Sequence, residues 1–87
     1  MSIENKIRLI ESEYSFGEVV KTHIIGDTYQ IIEAIDEEGN IKFSTYINFE
    51  RTGFSYNSLE KAITGAIAYK YDGANSQANK YFWKMIK

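Results

Sequence analysis

The chain contains neither cysteine nor proline in its 87 residues. Without cysteine there is no disulfide framework, no thiolate metal site and no thiol nucleophile. Without proline no loop has its φ angle fixed by a ring. No apolar run approaches the ~20 residues that span a bilayer, and the opening Met1-Ser2-Ile3-Glu4 lacks the basic-then-apolar order of a signal peptide. The expectation is a cytoplasmic protein with no membrane partner. Charge of one sign is also missing: ten basic and twelve acidic residues leave a net charge of −2. Nucleic-acid binding usually rests on a basic face that releases counterions. The nearest approach to one is Lys80, Lys84 and Lys87, spaced along one helical flank and read as solvated. Direct nucleic-acid binding is therefore not expected.

What is present is enough for one small domain. A chain of this length has room for one hydrophobic core, and 44% apolar with 25% charged residues is the composition of a globular protein. Seven tyrosines and five phenylalanines stand out. Tyrosine supplies contact area at low entropic cost and is favoured on binding surfaces, but it also fills small cores.

The element order follows from periodicity. Ser2 is placed to cap a helix over 3–13, with Ile3, Ile7, Ile10 and Tyr14 on one face. A β-branched stretch over 18–25 ends at the turn residues Gly26-Asp27 and returns over 28–36. Glu37-Glu38-Gly39-Asn40 makes a second turn into a strand over 41–49. There Ile41, Phe43, Thr45, Ile47 and Phe49 alternate with Lys42, Ser44, Tyr46 and Asn48. Residues 51–56 read as a connector around Gly53. Asn57 followed by Glu60 predicts a capped helix, with Leu59, Ala62, Ile63, Ala66, Ile67 and Lys70 as its stripe, stopped at Asp72-Gly73. Gly65 within it costs about 1 kcal/mol relative to alanine, so a neighbouring element is expected to pack closely there. A last helix from about Ser76 carries Ala78, Tyr81, Phe82, Met85 and Ile86.

The expected fold is thus α+β, a three-stranded antiparallel meander in the order α-β-β-β-α-α. Phe43, Ile47, Ile63, Ile67 and Phe82 would share one core. The first two strands carry apolar residues on both faces. Val19 and Ile25 oppose Val20 and Ile24, and Ile31 and Ile35 oppose Ile32 and Ala34. The second face is then either covered by the N-terminal helix or used for homo-oligomer association.

Chemistry is sparse. His23 is the single histidine, in mid-strand, and reads as structural or solvated. Asp36, Glu37, Glu38 and Asn40 are too few for a calcium loop, and no His/Asp/Glu spacing suits a metal. Ser58-Leu59-Glu60-Lys61 matches a Ser-x-x-Lys string without companion motifs. The glycines are scattered and form no phosphate loop. The reading is a protein that is not an enzyme and takes no cofactor or metal.

Candidate binding residues are of two kinds. Trp83 lies about 130° from the centre of its helix stripe at ~100° per residue, and tryptophan is enriched among interface hot spots. The hairpin tip Glu37, Glu38, Gly39 and Asn40 projects acids from a tight turn, and Tyr46 sits on the polar side of the strand that follows.

The order α-β-β-β-α resembles a double-stranded RNA-binding domain. In place of that family's Lys-rich helix start, however, stands Asn57-Ser58-Leu59-Glu60-Lys61-Ala62. A likeness over almost the whole chain is to a small phage-encoded anti-CRISPR protein, in layout, length and lack of cysteine. Ile3, Ile7, Arg8, Ile10 and Tyr14 answer its Ile-rich first helix, and Ile31, Ile32, Glu38, Gly39 and Asn40 its central strand and hairpin tip. That resemblance implies a binding protein that blocks a surface of a larger host protein, a nucleic-acid-processing enzyme, by imitating nucleic acid at the tip. The departure is charge: that family is strongly acidic and this chain is nearly neutral. The other classes open at this point are a nucleic-acid-binding module and a small-molecule-sequestering oligomer.

Overall fold

In the computed structural model, residues 2–72 are described. They form α1 (Ile3–Glu13), β1 (Glu18–Ile25), β2 (Tyr29–Ile35), β3 (Ile41–Ile47), β4 (Glu50–Tyr56) and α2 (Leu59–Asp72). The strands make one antiparallel meander in the order β1-β2-β3-β4. The expected last helix, with Trp83, Phe82 and the three late lysines, lies outside the described residues.

The fourth strand corrects the three-strand expectation. Residues 51–56, read as a connector, pair with β3 in the register Phe43 to Tyr56 and Tyr46 to Arg51. The turn between the two strands is Asn48-Phe49, both left-handed at φ 51° and 64°. Two consecutive positive φ angles make the tight hairpin whose twist matches paired strands, and glycine or asparagine normally marks it. A phenylalanine there hides the turn from sequence reasoning. It also ends the alternation two residues early, so Phe49 packs with the α1 side and not with Phe43.

Phe49 is held in this sparsely populated conformation by Gln30, which is fully buried. Its Oε1 accepts from the Phe49 amide at 2.7 Å, and its Nε2 donates to the Asp27 carbonyl at 3.3 Å. The Asn48 amide donates to the Thr28 carbonyl at 2.8 Å, so the two turns at this end of the sheet are tied together. Gln30→Leu keeps the volume but leaves the Phe49 amide without its acceptor. A loss of about 1–3 kcal/mol is expected in urea titration.

Among the described residues a helix packs on each side of the sheet, which accounts for apolar residues on both faces of β2. On one side α1 sets Ile10 against Ile32, Ala34 and Tyr46, with Tyr14, Val19 and Phe49 around them. The α1 cap is as expected, the Ser2 hydroxyl accepting from the Asn5 amide at 3.2 Å. Tyr14 Oη and Ser44 Oγ share a 2.9 Å hydrogen bond, and the Thr22 hydroxyl donates to the Glu11 carboxylate. A β-bulge between Val19 and Lys21 leaves Val20 out of register and exposed, so the two valines are not a plain alternating pair.

On the other side α2 packs over β2, β3 and β4. Ile31, Tyr56 and Ala62 are the buried centre, with Ile25, Phe43, Phe54, Leu59 and Ile63 around them. The expected core needs correction here. Phe43, Ile47 and Ile63 are only partly buried, and Ile67 is 38% exposed. The helix is rotated toward its small residues, burying Ala62, Gly65 and Ala66. The α2 cap is Ser58, whose hydroxyl accepts from the Lys61 amide at 3.2 Å; Asn57 instead accepts from the Lys61 ammonium.

Candidate functional site

The tip between β2 and β3 is a built loop. Asp36 folds its carboxylate back over the turn, where Oδ1 accepts from the Glu38 and Asn40 amides at 2.9 Å each. The Asp36 amide donates to the Asn40 carbonyl at 2.9 Å and the Gly39 amide to the Asp36 carbonyl at 3.0 Å. Gly39 takes φ 85°, a region open to it for want of a Cβ. With the Asp36, Glu38, Gly39 and Asn40 amides satisfied, the loop leaves Glu37, Glu38 and Asn40 exposed. The Asn40 amide group donates to Glu38 at 3.4 Å.

Beside the tip runs an open cleft of about 900 Å³, bounded by the α1–β1 segment on one side and the hairpin on the other. Phe16, Glu18, Asp36, Glu37, Glu38 and Lys42 give it its character. Four carboxylates thus face a single ammonium, so the cleft is acidic although the whole chain is nearly neutral. Phe16 is 53% exposed and anchored from behind, its ring 3.8 Å from the Arg51 guanidinium and edge-on to Tyr14 at 5.7 Å.

The structure brings Glu37, Glu38, Gly39 and Asn40 together as expected. Tyr46 it removes from the surface: the side chain is 5% exposed and belongs to the core under α1. Burial pushes the Tyr46 hydroxyl pKa up, against the opposing pull of Arg51, and burial does the same to Tyr56. Both are therefore neutral phenols at physiological pH. Tyr46 was misassigned because alternation was taken to oppose a buried face to a solvated one, and here both faces are covered. Trp83 lies outside the described residues. Phe16 and Glu18 carry no signal in the sequence, and Asp36 enters it only as one of the acids too few for a calcium loop.

His23 is paired across strands, in keeping with a structural reading. Its Nε2 lies 2.8 Å from the Glu33 Oε1 on the neighbouring strand, and its ring sits 6.2 Å from that of Phe43. A His–carboxylate pair needs a nucleophile or a water-activating partner before it does chemistry. Among the described residues no group of three or more His, Cys, Asp or Glu is placed to hold a metal ion. No described helix is long and apolar enough to cross a membrane.

Among the described residues, fold and site together define a four-stranded antiparallel meander with a helix on each face and an acidic cleft at one end. No protein family, curated protein or solved structure matches the chain.

Proposed function

We propose that this is a non-enzymatic binding protein of phage or mobile-element type that blocks a surface of a larger host protein. The observation that carries the reading is the hairpin tip. Glu37 and Glu38 are fixed and exposed by the Asp36-centred hydrogen bonds, beside a cleft edged by the exposed ring of Phe16. A preorganised loop loses little entropy on docking, which is what a blocking surface needs. Its carboxylates fit a basic groove, and the ring adds an apolar anchor at the margin of the charge. Basic grooves of this kind line nucleic-acid-processing enzymes, and the anti-CRISPR resemblance points to a nuclease among them.

The test begins with affinity capture of the partner from host lysate. Glu37→Ala with Glu38→Ala should then slow association several-fold at about 50 mM salt, with the difference closing near 0.5 M as screening removes the steering. Phe16→Ala should act on the off-rate with little salt dependence. Folded variants that bind at the wild-type rate at low salt would move the docking surface away from the tip.

A further inference from the structure

One buried hydroxyl of the α1-side core has no partner. Tyr46 is 5% exposed, yet its Oη makes no hydrogen bond to any described residue, whereas the neighbouring Tyr14 hydroxyl is engaged with Ser44. Buried polar groups are seldom left unsatisfied, and each exception calls for an explanation. Tyr46 lines a recess of about 240 Å³ between the end of α1 and the β3–β4 turn. Ile10, Tyr14, Phe16 and Phe49 give this recess apolar and aromatic walls, and the exposed Glu13 and Arg51 bring opposite charges to it. Both charges act on the Tyr46 hydroxyl: burial raises its pKa most, Arg51 pulls it down, and Tyr14 and Glu13 push it up. Glu13 and Arg51 are nevertheless not an ion pair, the one such contact among the described residues being His23 with Glu33. The two charges share one small space without neutralising each other by contact.

The walls are held from outside. The Arg51 guanidinium lies 3.8 Å from the Phe16 ring centre, and Tyr14 meets that ring edge-on. Phe49 is fixed through its amide by Gln30 and lies under the Lys6 ammonium at 5.5 Å. Stacking uses the face of a guanidinium and leaves its edge N–H groups for a carboxylate. We propose that this recess binds a free α-amino acid with an aliphatic side chain. Its carboxylate meets Arg51 and accepts from the Tyr46 hydroxyl, its ammonium meets Glu13, and its side chain lies against Ile10, Phe16 and Phe49. A bare anion is repelled by Glu13 and a bare cation by Arg51, so a zwitterion is the solute that both charges accept. The volume lies below the ~300 Å³ at which sites for drug-sized ligands begin, which suits a small solute. The recess shares Ser15 and Phe16 with the acidic cleft but needs no partner docked there.

The test is calorimetric titration of the full chain with L-leucine up to about 10 mM, beside 4-methylpentanoate, which lacks the ammonium, and leucinamide, which lacks the carboxylate. Leucine is expected to bind, and both analogues to bind about tenfold more weakly. Glu13→Gln and Arg51→Gln change exposed residues and Tyr46→Phe removes a single oxygen, so all three variants should fold. Each should weaken leucine about tenfold, and Glu13→Gln should bring 4-methylpentanoate level with leucine because the repulsion is gone. Without ligand, Tyr46→Phe should melt no lower than wild type, since no hydrogen bond within the protein is lost. A lower melting temperature would show the hydroxyl already engaged and remove it from the site. No heat with leucine at the highest concentration would overturn the proposal and leave water as the occupant. Leucine binding that Tyr46→Phe and Glu13→Gln both leave unchanged would overturn it as well, by placing the ligand elsewhere.

Discussion

Replacing Gly65 with leucine is expected to abolish cooperative folding. A Cβ built on Gly65 falls onto the Tyr56 ring, meeting its hydroxyl, Cζ and Cε1 atoms. That ring is 2% exposed and sits at the centre of the α2-side core, so it has no free space to enter. A leucine would lift α2 off β4, where overpacking costs about 1–3 kcal/mol even for milder insertions. A domain of this size has only about 4–13 kcal/mol in total. Gly65→Ala separates the opposing effects. The gain in helix propensity, about 1 kcal/mol, is smaller than the cost of a methyl group placed inside a ring, so alanine is also destabilising. Tyr56→Val in the alanine background should recover part of the loss, and a double-mutant cycle in urea measures that coupling. Gly65→Leu with a wild-type melting transition would mean that the helix does not pack on Tyr56.

Deleting residues 1–13 should be nearly as damaging. The helix contributes one fully engaged side chain, Ile10, but that side chain roofs Ile32, Ala34 and Tyr46. Ile10→Ala alone is expected to cost about 2–5 kcal/mol. The deletion adds the loss of the Glu11 acceptor for Thr22 and opens the face holding Ile32, which is otherwise fully buried. A sheet with one apolar face bare associates or fails to fold. The expected result is loss of the sharp thermal transition, or aggregation, followed by circular dichroism and light scattering. A monomeric fragment with a clean transition would show that the face tolerates water and that α1 is dispensable.

Much of this was legible along the chain because the signals are local. Ser2 before an amphipathic run, β-branched stretches broken by Gly26-Asp27 and Glu38-Gly39-Asn40, and a second helix before Asp72 each depend on a few neighbouring residues. The acidic tip was legible for the same reason. Gly65 was legible as a discord, since a helix retains an interior glycine at a cost, and the structure supplies Tyr56 as the compensation.

The remainder was decided by residues distant in sequence. The Asn48-Phe49 turn carries no glycine and exists because Gln30, on another strand, satisfies the Phe49 amide. Without that contact in view, β4 reads as a loop and β3 as two residues too long. Tyr46 and Ser44 look polar-facing on their own strand and are buried because α1 crosses above them. How far α2 rotates, enough to bury Ala62, Gly65 and Ala66 and leave Ile67 exposed, is likewise not set by its stripe, which is apolar enough to seat the helix in more than one orientation. Turn chemistry, capping and periodicity are properties of short segments and travel with the sequence. Which face is covered, which strained turn is tolerated and which flank of a helix meets the sheet depend on close packing between segments, where one ring or one amide acceptor selects among nearly equal alternatives.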